Sequence, residues 1–564
     1  MKFLRDLAHN IGKSTIRLQL LFIIATFLSI GFMGYYFGTF DQASHIPFLK
    51  KYIDSSLFPG DHFFALRFTH YSFFWFLFLP FYRLNFLEVS MFIVHLLTIY
   101  LTFWAIWKLS QTLFDNHLIS FLSVLAFILP HMGFSGFTIV EFSLVNRTFV
   151  LPFLLIALDL YLRRKYYLSF FILGIMYNFH VISVNFILFM ILFDYLLQFK
   201  RNGGWKTIIV GLTLFISGAA PVLIWKFGSS VTDLSLHWEW FSLISRGFLY
   251  HLFYPFSRYP HILFMTLGGI STIILFFITR RFAPSTKYNR SVTNFVYAIL
   301  VILLIEVITA LWIPLDIIIE SQIMRASLFL TIFCYFYLAS YIVKKFQSGK
   351  LKEVDLLLLT GALIFSLSPI VALAVLAIQN LIGRLTRRGA ELFSFFIIII
   401  SFVAILIVAY QNNIWRPGLH IFAQRSTWYD AQLWAHNHTP KNAIFITPPY
   451  LWGLYDLDWR VISERSTVST LPELLEAAFS PKYIDYWKTR FEAVAPGAIN
   501  QFKGNTFNNL EITKKAFSRL TLPSLKYISN RFKASYLVVE RPQQYLLPIV
   551  YKNQNYIIYS LKDL

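Results

Sequence analysis

The run Leu20-Leu21-Phe22-Ile23-Ile24-Ala25-Thr26-Phe27-Leu28-Ser29-Ile30-Gly31-Phe32-Met33-Gly34-Tyr35-Tyr36-Phe37 gives way directly to the polar stretch Gly38-Thr39-Phe40-Asp41-Gln42-Ala43-Ser44-His45-Ile46-Pro47. A helix needs about 20 apolar residues to cross a bilayer. The first stretch therefore reads as a membrane span and the second as the loop that leaves it. Lys2, Arg5, Lys13 and Arg17 precede the span. Its core is too long for a secretory signal and no small-residue cleavage site follows, which predicts a retained helix with its start in the cytoplasm. The loop continues through Tyr52-Ile53-Asp54 and Pro59-Gly60-Asp61-His62. Carboxylates and imidazoles are thus gathered at a membrane surface in a chain with 28 acidic residues among 564. Ionisable groups at such depths are costly and point to a function.

Composition extends this reading to the whole chain. It is 57% hydrophobic and 14% charged, with a mean hydropathy of +0.60, which excludes an ordinary soluble protein. The single cysteine, Cys334, rules out an intrachain disulfide, so an external domain must hold together by its core. A formal net charge of +21 would suit nucleic acid, but the basic residues sit in short connections between apolar segments. Arg163-Arg164-Lys165, Lys200-Arg201, Arg280-Arg281, Lys344-Lys345 and Arg384 with Arg387-Arg388 follow the positive-inside pattern of cytoplasmic loops. A nucleic-acid site would need one contiguous basic face.

Apolar segments recur at 20–38, 88–110, 117–133, 147–162, 166–180, 182–198, 206–227, 260–280, 291–313, 323–344, 355–367, 369–386 and 391–411. They predict a mostly α fold: a polytopic transmembrane helical bundle of about 11–13 spans. Pro369 disfavours helix at Ser368 and predicts a break there. The segment 63–81, with Arg67 and His70 along it and Arg83 just beyond, is expected to dip into the bilayer without crossing. With the N-terminus in the cytoplasm, an odd count places the C-terminus outside. Residues 1–411 form the membrane domain, with a long outer loop at 38–87. A second outer loop at 228–259, carrying Trp238, Glu239, Trp240 and Arg246, reads as an interfacial amphipathic segment.

From 412 to 564 the composition is that of an extramembrane α/β domain. Thr427–Ala435 has helical spacing, Asn442–Thr447 reads as a strand stopped by Pro448-Pro449, and Arg460-Val461-Ile462-Ser463 reads as a second strand. A helix follows around 481–493, and further strands fall at 535–539 and 556–559.

The candidate site residues lie at or near the outer ends of the spans. Asp41 could serve as general base on an acceptor or hold a divalent cation, Mg or Mn, beside a phosphate. A solvated loop acid is the plainer account. His45 follows four residues later, on the same face if the loop is helical. Glu141, Asn146 and Arg147 precede the 147–162 segment, His180 ends a short one, and Gln322 and Arg325 open another. Arginine pairs bidentately with phosphate oxygens, though an anchor to lipid headgroups is equally compatible. For Glu306 and Asp159 a helix-packing hydrogen bond suffices. In the tail, Trp452, Asp456, Asp458, Arg460, Glu464 and Arg465 cluster after a strand, where α/β domains bind ligands. There is no P-loop, no GxSxG elbow and no His/Cys metal pattern.

One helix, an outer loop opening with Phe40-Asp41-Gln42-Ala43-Ser44-His45, a polytopic bundle and an α/β tail together resemble the GT-C class of membrane glycosyltransferases, which includes oligosaccharyltransferases and protein O-mannosyltransferases. The tail segment Trp434-Ala435-His436-Asn437-His438-Thr439-Pro440-Lys441-Asn442-Ala443-Ile444-Phe445-Ile446-Thr447-Pro448-Pro449 is similar to the tail opening of prokaryotic members. The resemblance implies sugar transfer from a polyprenyl-phosphate donor to a glycan, lipid or protein acceptor on the outer face of a prokaryotic plasma membrane. It implies Asp41 as the catalytic acid; because Gln42 stands where several relatives carry a second acid, either Asp41 works alone, or His45 or Asp54 supplies the second group, or activity is lost. On chemistry alone, Glu141, Arg147, His180, Gln322, Arg325 and Arg460 are candidates for substrate binding. A lipid or sugar transporter would show matching halves with interrupted helices. A non-catalytic scaffold would leave these groups scattered.

Overall fold

The computed structural model describes residues 2–131, 134–229, 236–283, 286–349, 352–381, 387–451, 455–562 and 564. Arg384 and Trp452 lie outside the described residues. Each apolar segment read above carries a helix, but length separates them into two groups. Among the described residues, seven helices are long and apolar enough to cross a membrane alone: Thr15–Met33, Leu87–Phe114, Gly204–Gly228, Pro260–Phe282, Asn289–Trp312, Asp316–Gln347 and Arg388–Gln411. The others are shorter, among them Asn146–Leu162, Tyr166–Tyr177, Val181–Leu197, Glu353–Phe365 and Pro369–Leu381. A helix such as Glu353–Phe365, with 13 residues, rises only about 20 Å against a hydrocarbon core of about 30 Å.

Short helices leave backbone ends at membrane depth, and the chain satisfies them with side chains. At the break before Pro369, the carbonyl of Ser366 accepts from His131 Nδ1 at 2.8 Å and from the Tyr335 hydroxyl at 3.2 Å. Between Tyr166–Tyr177 and Val181–Leu197, Asn178 reaches the neighbouring helix Gly204–Ser229. Its Nδ2 donates to Gly218 O at 2.7 Å and its Oδ1 accepts from Val222 N at 3.0 Å. Pro221 disturbs that helix's own ladder, and Asn178 fills the gap left between residues 218 and 222.

The long first loop does not cross the bundle. Its segment 63–81 is mainly two 3₁₀ turns, His62–Phe68 and Trp75–Phe78, followed by the short helix Leu79–Arg83. Its first residues form strand β1 (Tyr35–Tyr36), parallel to β2 (Leu419–His420), so the chain leaving the first helix is stitched to the chain entering the tail. Trp415 Nε1 adds a 2.7 Å bond to Phe32 O. The remaining strands are β3 (Ile444–Ile446), β4 (Ser466–Thr467), β5 (Tyr536–Glu540), β6 (Ile549–Lys552) and β7 (Tyr556–Ser560). They form one mixed sheet in the order β4-β3-β5-β7-β6. β3 is parallel to β4 and β5, and β7 is antiparallel to β5 and β6. Alternation along β5 and β7 splits the core. Leu537, Val539, Ile557 and Tyr559 face helices Thr506–Ser518 and Leu522–Phe532, while Tyr536, Val538, Tyr556 and Ile558 face Trp428, Ala431 and Ala435.

Two expectations need correction. Residues 460–463 are not a strand but part of a helical turn, Trp459–Ser463, whose N-terminus is capped by Asp458 Oδ1 accepting from Arg460 N at 2.9 Å. Four residues carry too little periodicity to separate the two forms, and the capping aspartate decides it. The 228–259 loop does not lie free on a lipid surface throughout. Trp240 is buried and donates from Nε1 to Ala477 O at 2.8 Å, and Asn509 Nδ2 bonds the carbonyls of Arg246 and Gly247 at 2.7 and 2.9 Å. Trp238 remains exposed.

Arg460 is the clamp between the first loop and the tail. Buried at 1% exposure, it approaches Asp61 Oδ2 at 3.3 Å, Glu473 Oε1 at 2.7 Å and Asp458 Oδ1 at 3.8 Å. Removing one partner of a buried pair leaves a buried charge uncompensated, at a cost of about 3–5 kcal/mol. Arg460→Met is therefore expected to lower unfolding stability by about that amount, read by thermal or denaturant unfolding of the purified protein. A loss below about 1 kcal/mol would mean that the carboxylates find other partners.

Candidate active site

Gly38 turns the chain at φ +79, and Gln42 then locks the turn. Its Oε1 accepts from Gly38 N at 2.9 Å and its Nε2 donates to Leu144 O at 2.9 Å, with no solvent exposure. The position where an acid was looked for thus faces inward and fastens the first loop to the segment before helix Asn146–Leu162. Asp41 stands at the N-cap of helix Gln42–Ile53, yet its side chain makes no capping bond. Its carboxylate is left for Arg147.

Arg147 joins two loops. Its Nη1 pairs with Asp41 Oδ2, while Nε and Nη2 form a fork onto Glu141, with the Nε–Oε1 bond at 2.8 Å. Asp41 and Glu141 are 106 and 6 residues away in sequence. The guanidinium lies over Phe137, centroid 4.9 Å away, and over Phe40 at 5.3 Å. Two acids meeting at a membrane surface could hold Mg or Mn, but here a guanidinium occupies the space between them. The residues do not fit a divalent ion bridging Asp41 and Glu141 while Arg147 stays in place.

Arg325 is the opposite case. It lies in the 3₁₀ turn Ile323–Ala326, placed by the left-handed backbone of Gln322 at φ 42. Its guanidinium stacks over Phe137 at 4.7 Å, so this ring lies against both arginines. Among the described residues the Arg325 side chain has no hydrogen bond or ion pair, and its buried Nε has no partner. Gln322, at 1% exposure, likewise has its Oε1 unpaired. Glu306 is fully buried, and its carboxylate lies against the amides of Ile323 and Met324 without a well-formed bond. His180 caps helix Val181–Leu197, with Nδ1 accepting from Ser183 N at 3.2 Å, which assigns the ring proton to Nε2.

A small pocket of about 30 Å³ opens between these groups. Glu141, Arg147, Thr138, Ser183 and Arg325 give it a polar end, and Leu151, Leu154, Phe186, Leu328 and Phe329 an apolar wall. Asp41 sits across Arg147 from it. Glu141, Arg147 and Arg325 therefore meet at one pocket, with Asp41 paired to Arg147 beside it and His180 within electrostatic reach of both arginines. Arg460 is not brought into this group, because its guanidinium is already spent on three carboxylates.

His45 takes a different direction. Its ring stacks on Trp75 at 4.8 Å and meets His70 edge-on at 5.2 Å. Burial lowers its pKa to about 4, against the pull of Glu476. Burial would raise the Glu476 carboxyl, but His70 and His45 beside it outweigh that and hold it at about 2. Sequence reasoning passed over Glu476 entirely and over Phe137. Glu476 lies in an unremarkable helical stretch and Phe137 is one of 62 phenylalanines; only the three-dimensional fold distinguishes them.

No family model and no curated protein matches this chain. Among solved structures, the archaeal oligosaccharyltransferase AglB from Archaeoglobus fulgidus, in complex with an inhibitory peptide and a dolichol-phosphate, is similar over 93% of this chain and 69% of its own. The identity is 12% and the TM-score 0.48. The apo form of the Archaeoglobus fulgidus oligosaccharyltransferase covers 92% and 69% at 12% identity and a TM-score of 0.42. Its complex with Zn and sulfate covers 92% and 68% at 13% and 0.40.

The two arginines should respond oppositely to replacement. Arg147→Met strands Asp41 and Glu141 and should cost about 3–5 kcal/mol. Arg325→Met removes a buried charge that makes no direct ion pair among the described residues and should change stability by less than about 1 kcal/mol, or raise it. Thermal unfolding of both variants in one detergent measures the contrast. Equal losses would show that Arg325 is paired in solution.

Proposed function

We propose that this chain is an integral-membrane glycosyltransferase that moves a sugar from a polyprenyl-phosphate donor to an acceptor at the extracytoplasmic face. One observation carries the reading: the pocket joins an unpaired buried guanidinium to a wall of leucine and phenylalanine. That combination suits a ligand with an anionic head and a hydrocarbon tail. Arg325 takes the donor phosphate, because its donors are unspent and the fork of arginine matches two phosphate oxygens. Arg147 adds positive charge on the other face of Phe137.

Asp41 stands at the edge of this head-group site, its carboxylate paired with and oriented by Arg147. In the transfer step the acceptor hydroxyl or amide attacks the anomeric carbon, and its proton passes to the Asp41 carboxylate. The bond from that carbon to the phosphate oxygen breaks, and the electron pair leaves with the phosphate against Arg325. Preorganised positive charge at a leaving oxygen is where such sites gain most. His180, whose Nε2 carries the ring proton, is a further donor at the same end. The acceptor is a glycan, lipid or protein. With the N-terminus in the cytoplasm of a prokaryotic cell, the site and the tail domain lie outside.

The gathering of these groups around one pocket supports an enzyme over a scaffold, which would leave them scattered. No matching interrupted halves support a transporter. The test is transfer from a polyprenyl-phosphate-sugar by wild type and Asp41→Asn, which keeps the hydrogen bond to Arg147. The variant should elute and unfold like wild type while activity falls at least about a hundredfold. Undiminished transfer would remove Asp41 from the chemistry.

A further inference from the structure

The first loop and the tail meet at a second cluster that the transfer chemistry does not use. His45 lies on helix Gln42–Ile53, His70 follows the 3₁₀ turn His62–Phe68, and Glu476 belongs to helix Glu473–Ala477. One donor atom from each lies within 4.8 Å of the other two. We propose that His45, His70 and Glu476 form a binding site for a divalent transition-metal ion of the zinc class, which ties the helix carrying Asp41 at its start to the tail domain. The proposal stands independently of the transfer reading.

The donor set fits this class of ion. Two imidazoles and a carboxylate suit zinc, whereas magnesium prefers oxygen ligands and keeps several waters. A tetrahedral zinc with bonds of about 2.0–2.1 Å needs donors closer together than the widest spacing here, a movement of about an ångström that side-chain rotation supplies.

The partners are already arranged for it. His70 Nε2 is buried and lies 2.7 Å from Glu476 Oε2, an approach without the angle of a hydrogen bond. The nitrogen therefore has a negative neighbour but no bonded partner. The Ser44 hydroxyl lies beside the same carboxylate, and the stack on Trp75 fixes the plane of His45. Such outer contacts orient metal ligands. Phe48 and Phe479 close the apolar side, with ring centres 6.0 and 5.3 Å from His70. Three protein ligands leave a fourth position for water.

The experiment uses the full chain without a histidine tag, purified in detergent, stripped with chelator and titrated with zinc chloride alone. One equivalent of zinc should be retained by elemental analysis, and the unfolding temperature should rise with zinc concentration, as binding to the folded state requires. His70→Ala and Glu476→Gln should lose both the retained zinc and the thermal shift while eluting as wild type does. Folded variants that keep full zinc content would overturn the site. If the variants do not fold, X-ray absorption of wild type with zinc decides: two imidazole nitrogens with oxygen are expected. No bound zinc, or an oxygen-only shell, would refute the proposal.

Discussion

Arg147 holds two carboxylates that reach it from separate loops, and most of what surrounds the pocket is arranged so that it can. Its fork takes Glu141 and its remaining nitrogen takes Asp41, at a place where all three side chains are largely hidden, with exposures of 11%, 10% and 25% for Arg147, Glu141 and Asp41. Water screens little there, so the attraction is strong and so is the cost of leaving any member alone. The geometry is set from outside the trio. Gln42 fastens the first loop to Leu144, and the β1–β2 pair fastens that loop to the tail. The same ion pair that builds the site therefore also closes the fold over it.

Arg325 shows what the trio leaves undone. A buried charge without a direct partner opposes folding, and polar groups kept at membrane depth despite that cost often mark functional sites. Phe137 lowers the cost through its ring face, yet the donors stay unspent. Two arginines thus share one phenylalanine: Arg147 is consumed by its two carboxylates, and among the described residues Arg325 is left without a hydrogen bond or ion pair. The cluster of His45, His70 and Glu476 adds a further link between loop and tail, with His70 Nε2 at 2.7 Å from Glu476 Oε2.

Apolar length made the helices legible, and Pro369 marked its break in advance. Length could not tell a crossing helix from a shorter one held at depth by Asn178 or His131, so the expected number of spans exceeded the seven that stand alone. In the tail, β3, β5 and β7 were readable from β-branched and aromatic runs. The turn at 459–463 was not, because its cap, Asp458, outweighs a pattern four residues long. At the site, Asp41, Glu141, Arg147, His180, Gln322 and Arg325 could be named because charged and amide groups are rare at span ends. Their division of labour was illegible, since pairing depends on residues far apart in sequence. Arg460 looked like a ligand-binding arginine for the same reason, and its three carboxylates make it a clamp.

The most direct measurement is mass spectrometry of the lipid that copurifies with the intact protein, compared between wild type and Arg325→Met. The account predicts a polyprenyl phosphate, with or without its sugar, bound to wild type and lost from the folded variant. Bulk phospholipid alone on wild type, or a prenyl phosphate kept equally by both proteins, would contradict it.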